Sequence, residues 1–279
     1  MPRFAANLSL LYPDLSFPQR IAAAAADGFD GVECQFPYDW PAAELAARAT
    51  ESGLPWVLIN TPAGDWQHGE RGLAALPGRE AEFRRGVDTA LAYAHTLGCR
   101  RLHVLAGLQP PGVDRSRCLA TYADNLAWAA RQAADAQATL LIEPLNARDV
   151  PGYLLRTQAE AHRWVQTLGI PQLKVQMDLY HCQISEGDLT RRLQHDLPTG
   201  RVGHLQIAGV PDRHEPDDGE LNAPYLFTLI DTLAATAGQA SPWIGAEYLP
   251  RRGTEPGGTS AGLGWLRAAR EALASRPVL

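Results

Sequence analysis

A single-domain α/β protein folded as a (β/α)8 (TIM) barrel is what the sequence predicts, and three observations predict it. Eight short apolar runs alternate strictly with eight alanine- and leucine-rich stretches of helical spacing. The runs are rich in Val, Ile, Leu and Phe, as parallel strands covered by helices are. At 279 residues with 46% hydrophobic content, the chain has the length of one such barrel and the material for its core. Strict alternation implies a parallel sheet, and eight units imply closure of that sheet on itself.

The first strand is expected at Arg3–Asn7. Its helix, Phe17–Asp27, opens after Ser16, whose hydroxyl can accept from a free first-turn N–H, and meets Gly28 at its end. Gly31–Gln35 leads to Pro41–Ser52, where proline loses nothing in the first turn and Gly53 permits a left-handed exit. Trp56–Asn60 precedes Arg79–Leu97, which Gly98 closes. The remaining pairs are Arg101–Leu105 with Arg117–Ala136, Thr139–Glu143 with Thr157–Leu168, and Leu173–Asp178 with Leu189–Leu197. Val202–Ile207 with Ala223–Ala237 and Trp243–Tyr248 with Ala261–Ala274 complete the eight. Three long loops, Thr61–Gly78, Ala208–Asn222 and Leu249–Ser260, each follow a strand and so lie on the face where barrel enzymes keep their chemistry. No linker or low-complexity tract divides the chain, so one domain over residues 1–279 is expected.

Charged residues make up 20% of the chain and the formal net charge is −6. Nucleic-acid binding needs a dense basic face, which this balance argues against. A small anionic substrate is compatible with it, because one arginine or one metal ion reverses the field in a single pocket. The four cysteines, Cys34, Cys99, Cys118 and Cys182, are scattered without paired spacing, and the N-terminal residues lack a basic-then-apolar leader. The expectation is four reduced thiols in a cytoplasmic protein, with no zinc site among them. No apolar run approaches the ~18 residues needed to span a bilayer.

Four oxygen-bearing side chains stand at the ends of consecutive predicted strands: Glu143, Asp178, Gln206 and Glu247. Each is about one β-α unit from the next, so closure of the barrel aims them at one centre. A single such acid can simply cap the following helix; three crowded carboxylates repel, and a cation resolves the repulsion. All-oxygen ligation suits Mg²⁺ or Mn²⁺ better than zinc. Glu143 and Glu247 come from strands separated by two others and are placed to flank an enediol(ate), moving a proton between adjacent carbons as ketose–aldose isomerisation requires. A divalent ion with three carboxylates and neutral Gln206 carries a formal charge of about −1. An anionic substrate then needs further positive contacts, for which His181 and Arg213 are the candidates, a guanidinium fork being suited to a carboxylate.

At these residues the chain resembles the hydroxypyruvate isomerase family of the xylose-isomerase-like barrels, and most closely its bacterial 2-oxo-tetronate isomerase branch. The resemblance covers almost the whole chain. It rests on Phe4-Ala-Ala-Asn-Leu-Ser, Ala75-Leu-Pro-Gly-Arg-Glu80, Gln206-Ile-Ala-Gly and Pro211-Asp-Arg-His-Glu-Pro-Asp-Asp-Gly-Glu220. It implies Glu143, Asp178, Gln206 and Glu247 as ligands of a divalent metal, Glu143 and Glu247 as the acid/base pair, and His181 and Arg213 as substrate contacts. It also implies a small hydroxy-keto acid as substrate. A sugar 3-epimerase of the related barrels is the alternative activity; those epimerases carry histidine where this chain has Gln206, which fits the isomerase branch, and insertions around Gln239 and Thr254–Ser260 depart from the closest pattern.

Other polar residues near the predicted mouth are less committed. His68 reads as an exposed loop histidine, and His103 as either a pocket or a core residue. His214 and Glu215 can orient Arg213. Asn7 and Asn60 end strands and point to the same mouth or form turns. Trp40, Trp66 and Trp265 wall the pocket or pack in the core. Two other classes compete with the isomerase reading: a metal-dependent DNA-repair nuclease, opposed by the net charge and by Gln206, and a non-catalytic sugar-acid-binding protein, opposed by the two glutamates. The expected partners are a small anion and, at most, further copies of the chain in a homo-oligomer, with neither nucleic acid nor membrane.

Overall fold

The computed structural model describes residues 1–274. Its eight strands are β1 (Arg3–Asn7), β2 (Gly31–Cys34), β3 (Trp56–Asn60), β4 (Arg101–Val104), β5 (Thr139–Ile142), β6 (Leu173–Asp178), β7 (Val202–Ile207) and β8 (Trp243–Ala246). They pair in parallel and in chain order, and β1 meets β8 to close the barrel, Arg3 opposite Trp243 and Ala5 opposite Gly245. The register slips between Val32 and Glu33 on β2 and between Val175 and Gln176 on β6.

Ten α-helices surround the barrel among the described residues, against the eight expected: α1 (Phe17–Ala26), α2 (Ala42–Ser52), α3 (Glu80–Leu97), α4 (Arg115–Asp135) and α5 (Gln158–Leu168), then α6 (Leu179–Ser185), α7 (Leu189–Asp196), α8 (Ala223–Thr236), α9 (Gly258–Gly262) and α10 (Gly264–Ala274). The glycine signals for their ends hold, while the Ser16 hydroxyl donates to Gln19 Oε1 (2.7 Å) instead of accepting from a first-turn N–H. Gln19 Oε1 accepts from the Ser16 N–H before α1, and Gly53 (φ 69°) and Gly98 (φ 66°) take the left-handed conformation after α2 and α3. On α3 the buried residues Phe83, Val87, Ala90, Ala94 and Leu97 recur at helical spacing and form the stripe that faces the sheet. Phe4 of β1 packs edge-on against Phe227 of α8 and Trp265 of α10, with ring centroids 5.0 and 5.6 Å apart. Trp265 therefore belongs to the layer between sheet and helices, not to the mouth. The four cysteines are unpaired and buried, and no helix is long and apolar enough to cross a membrane.

The two unexpected helices are short. Directly after β6, Asp178 caps α6 by accepting from the Tyr180 N–H (2.8 Å). Thr259 of α9 is buried and accepts from the Tyr12 N–H (2.8 Å), tying the last long loop to the loop after β1. The loops after β3, β4 and β5 are stitched together at the mouth: Gly72 bridges Ala106, Leu108 bridges Tyr153, and the Ala106 N–H donates to the Tyr153 hydroxyl (2.8 Å). Gly72 (φ 118°) lies against the backbone of Leu105, where a side chain would collide with it.

Candidate active site

Glu143 and Glu247 lie one residue past the ends of β5 and β8, Asp178 is the last residue of β6, and Gln206 sits opposite it on β7. All four are buried at the C-terminal mouth of the barrel. Glu143, Asp178 and His181 present ligand-type atoms within 4.8 Å of one another. Two of the carboxylate oxygens there, Glu143 Oε1 and Asp178 Oδ2, have no hydrogen-bond partner. A buried carboxylate oxygen without a donor is costly. The groups register that cost: burial, reinforced by Glu247 and Asp178, lifts the Glu143 carboxyl well above the ordinary carboxylate range. Burial also lifts Asp178 to about 7 against the pull of Arg213, and raises Glu247. The donor set and its partnerless oxygens fit a hard divalent cation.

Arg213 supplies one positive charge. Its Nη2 donates to Glu247 Oε2 (2.8 Å) and lies 4.0 Å from Asp178 Oδ2, while its guanidinium sits over the Tyr180 ring, 5.1 Å from the centroid. Tyr180 is in turn held by its hydroxyl, which donates to Asp149 Oδ2 (2.7 Å). Arg213, expected from the sequence as a substrate contact, is thus brought to the carboxylates.

His181 reaches the same centre, its Nε2 3.8 Å from Asp178 Oδ2. Its Nδ1 accepts from the Asn146 backbone N–H (3.3 Å) and from Asn146 Nδ2 (2.7 Å). The orientation of that amide is fixed, because Asn146 Oδ1 accepts from the Asp149 N–H (2.8 Å). Burial, with Arg213 nearby, holds the imidazole far below its usual range, so it is neutral. A neutral ring that accepts at Nδ1 carries its proton on Nε2. His181 therefore turns an N–H donor toward the centre, which suits a substrate oxygen better than a metal ion.

Gln206 is placed differently from a free fourth ligand. Its Nε2 donates to Glu33 Oε1 (2.7 Å), and its Oε1 accepts from Gln176 Nε2 (2.6 Å), so one lone pair of that oxygen is already used. Glu33 is a site residue that nothing in the sequence marks. This fully buried residue of β2 accepts from Gln206, from Asn7 Nδ2 (3.0 Å) and pairs with His204 Nε2 (2.7 Å). Asn7 also donates to Glu247 Oε1 (3.1 Å), and Gln35 Nε2 adds a second bond to that oxygen (3.0 Å). A layer of hydrogen bonds inside the barrel thus supports both Glu247 and Gln206. Gly245 makes room for it, since a methyl there would collide with both carboxylate oxygens of Glu33.

Of the less committed residues, Asn7 and His103 face the site. His103 Nε2 lies 3.5 Å from Glu143 Oε2, and burial beside His204 lowers the ring to about 3, leaving it neutral. Asn60 instead offers its backbone carbonyl to the Tyr38 hydroxyl (2.5 Å). His68 is exposed and pairs with Asp65 (2.8 Å) on a 3-10 turn, Trp66–His68, where Arg71 stacks over Trp66 at 4.0 Å. Glu215 accepts from the Arg251 N–H (3.1 Å), and His214 Nδ1 lies 2.7 Å from the Leu249 carbonyl oxygen; both organise the loops around Arg213.

Known proteins resemble the chain throughout its length. A family profile described as a xylose isomerase-like TIM barrel matches residues 21–269. The 2-oxo-tetronate isomerase of Cupriavidus necator is 55% identical over 96% of this chain and 98% of its own. The hydroxypyruvate isomerase of Escherichia coli is 42% identical over 95% of this chain and 98% of its own. Among solved structures, one from Brucella melitensis described as an AP endonuclease of family 2 is 47% identical, with a TM-score of 0.88, covering 96% of this chain and 99% of that one. A 3-keto-D-glucoside 4-epimerase from Escherichia coli, 19% identical with a TM-score of 0.76 over 96% of this chain and all of its own, shares the fold. The chain belongs to the xylose isomerase-like TIM-barrel family, and it is an isomerase.

Proposed function

We propose that the chain interconverts a 2-oxo-tetronate and its 3-oxo isomer, with hydroxypyruvate and tartronate semialdehyde as the shorter pair that undergoes the same change. The observation that carries the reading is one buried cluster in which Glu143 lies beside Asp178 and His181, and Glu247 is joined to Asp178 through Arg213. One carboxylate removes the proton from C3 and an enediolate forms across C2 and C3; the hydroxyl proton passes from the C3 oxygen to the C2 oxygen, C2 receives a proton and C3 becomes the carbonyl, with Glu143 and Glu247 as the acid/base pair. Their environment keeps these carboxyls easier to protonate than exposed ones, which a group that must both take and return a proton needs. Arg213 and the His181 N–H meet the substrate's carboxylate and carbonyl oxygens.

Glu143, Asp178, Gln206 and Glu247 would hold a Mg²⁺ or Mn²⁺ ion. Such an ion, when bound, supplies charge stabilisation to the substrate oxygens. The partnerless oxygens of Glu143 and Asp178 support this, and Gln206 retains a second lone pair for it. A nuclease reading fits the site less well. The cluster offers one histidine with two carboxylates, and a net charge of −6 disfavours a polyanionic duplex. A DNA probe at low salt is expected to remain unshifted.

Turnover in D₂O tests the proton transfer. The product is expected to carry deuterium on C2, and Glu143→Gln and Glu247→Gln are each expected to lose about 10²–10⁴ in kcat at saturating cation. An unlabelled product under single-turnover conditions, across a range of pH and temperature, would replace proton transfer by a hydride shift. Near-normal rates in both variants would remove the acid/base assignment.

A further inference from the structure

At the end of the barrel opposite the mouth, the first residues of the strands surround a cavity of about 310 Å³. Arg3 of β1, Arg101 of β4 and Lys174 of β6 line it, with His204 of β7 and the backbone at Gly203 and Ser241. No acidic residue contributes to the wall, and among the described residues none of the three cations is held in an ion pair. Arg101 is fixed by its Nε, which donates to the Gly203 carbonyl oxygen (3.0 Å), and its Nη groups have no protein partner among the described residues. Arg3 is held at the rim, its Nη2 donating to the Ser241 carbonyl (3.3 Å) and its guanidinium stacked on Trp243 at 4.1 Å. The Lys174 ammonium makes no hydrogen bond to the protein among the described residues, while its backbone pairs with β5.

Arg101 and Lys174 are half-buried and Arg3 is exposed at the rim; like charges gathered around one cavity repel one another. Burial, with the charge of Arg3, holds the Arg101 guanidinium below its ordinary range. The nearby carboxylate, Glu33, is already committed to Asn7, Gln206 and His204. An anion entering from solvent would relieve the repulsion and satisfy the free donors together. Two guanidinium forks and a point-charge ammonium suit the oxygens of a tetrahedral dianion. The cavity lies at the low end of the size range for small-molecule sites and has room for a few carbons beyond one phosphoryl group.

We propose that this cavity is a second binding site, separate from the active site, that takes a phosphate group between Arg3, Arg101 and Lys174, either as inorganic phosphate or as a small phosphomonoester. The layer containing Glu33, His103 and His204 lies between this cavity and the catalytic mouth, so the two can be occupied together.

Isothermal titration calorimetry of the full chain with inorganic phosphate and with glycerol 3-phosphate, at constant ionic strength and without added divalent cation, tests the proposal. Saturable binding is expected in the wild type and in Arg213→Leu, with at least a tenfold loss of affinity in Lys174→Gln and in Arg101→Gln. Lys174→Gln is half-exposed and keeps the test decisive should Arg101→Gln fold poorly. Tighter binding of glycerol 3-phosphate than of inorganic phosphate by tenfold or more identifies a phosphomonoester site; equal binding identifies the phosphate group alone as the ligand. The proposal is overturned by heats that never saturate, or by binding that survives in Lys174→Gln and Arg101→Gln. It is equally overturned by binding that disappears in Arg213→Leu, which would place the anion at the active site.

Discussion

Arg213 reaches the carboxylates from a left-handed backbone conformation, φ 58°, that arginine seldom adopts, and its N–H is held there by the Gly209 carbonyl at 2.9 Å. The guanidinium then meets Glu247 and stacks on Tyr180. A positive charge so placed discriminates by substrate charge. Arg213→Leu is expected to lower kcat/KM on a carboxylated substrate by about 1.5–3 kcal/mol more than on a neutral ketose, roughly ten- to a hundredfold. Equal losses on both substrates, measured side by side, would reject carboxylate recognition by Arg213. The motif around Arg213 was legible because its residues are contiguous. Glu33 was not: in Gly-Val-Glu-Cys it reads as one polar residue in a strand, while its partners Asn7, His204 and Gln206 come from β1 and β7, the latter more than 170 positions away. Only closure of the barrel brings them together. His181 lies between these cases. Its place three residues after Asp178 was visible, but the tautomer depends on Asn146 of another loop.

Among the elements, strand order and most helix ends followed from apolar runs and from residues such as Ser16, Gly53 and Gly98. Helix α6 was missed because only one short loop was expected between Asp178 and Leu189; the signal was Asp178 itself, an N-cap residue followed by Leu-Tyr-His. That cap gives Asp178 two tasks, one oxygen ending the strand by bonding Tyr180 and the other left for the site. Helix α5 shows an internal cost. His162 is buried on its inner side, neither ring nitrogen has a hydrogen-bond partner, and Asp196 Oδ2 is 3.5 Å away. Burial depresses its proton affinity despite Asp196. With the folded pKa below the unfolded value, the unfolded chain binds the proton first, so stability is full above about pH 6.5 and is lost as pH falls below it. His162→Phe, an apolar ring of similar size, is expected to flatten the fall in unfolding free energy between pH 6.5 and 5 by up to about 1.4 kcal/mol per pH unit. Denaturant titrations of both proteins across that range check this. Parallel slopes would show that His162 protonates equally in the folded and unfolded chains.

For the whole molecule, the proposed metal centre is a property of the closed barrel. Glu143, Asp178, Gln206 and Glu247 come from the ends of β5, β6, β7 and β8, and no two are neighbours in the chain. The unfolded polypeptide therefore has no comparable site, and binding free energy adds to the stability of the fold as a unit. At a hundredfold excess over Kd the added stability is about 2.7 kcal/mol, enough to raise Tm by several degrees in a domain of this size. Mg²⁺ or Mn²⁺ is accordingly expected to raise Tm with a midpoint that depends on cation concentration. Thorough chelation is expected to abolish turnover while leaving the barrel folded, because the core between sheet and helices contains none of the ligands. Asp178→Asn separates this effect from general ionic stabilisation. It relieves the crowding of buried carboxyls, so the cation-free protein should melt no lower than the wild type, yet the cation-dependent rise should shrink along with activity. Full turnover in protein shown by elemental analysis to be metal-free would sink the metal assignment. A cation-dependent rise that persists unchanged in Asp178→Asn would move the ion elsewhere on the molecule.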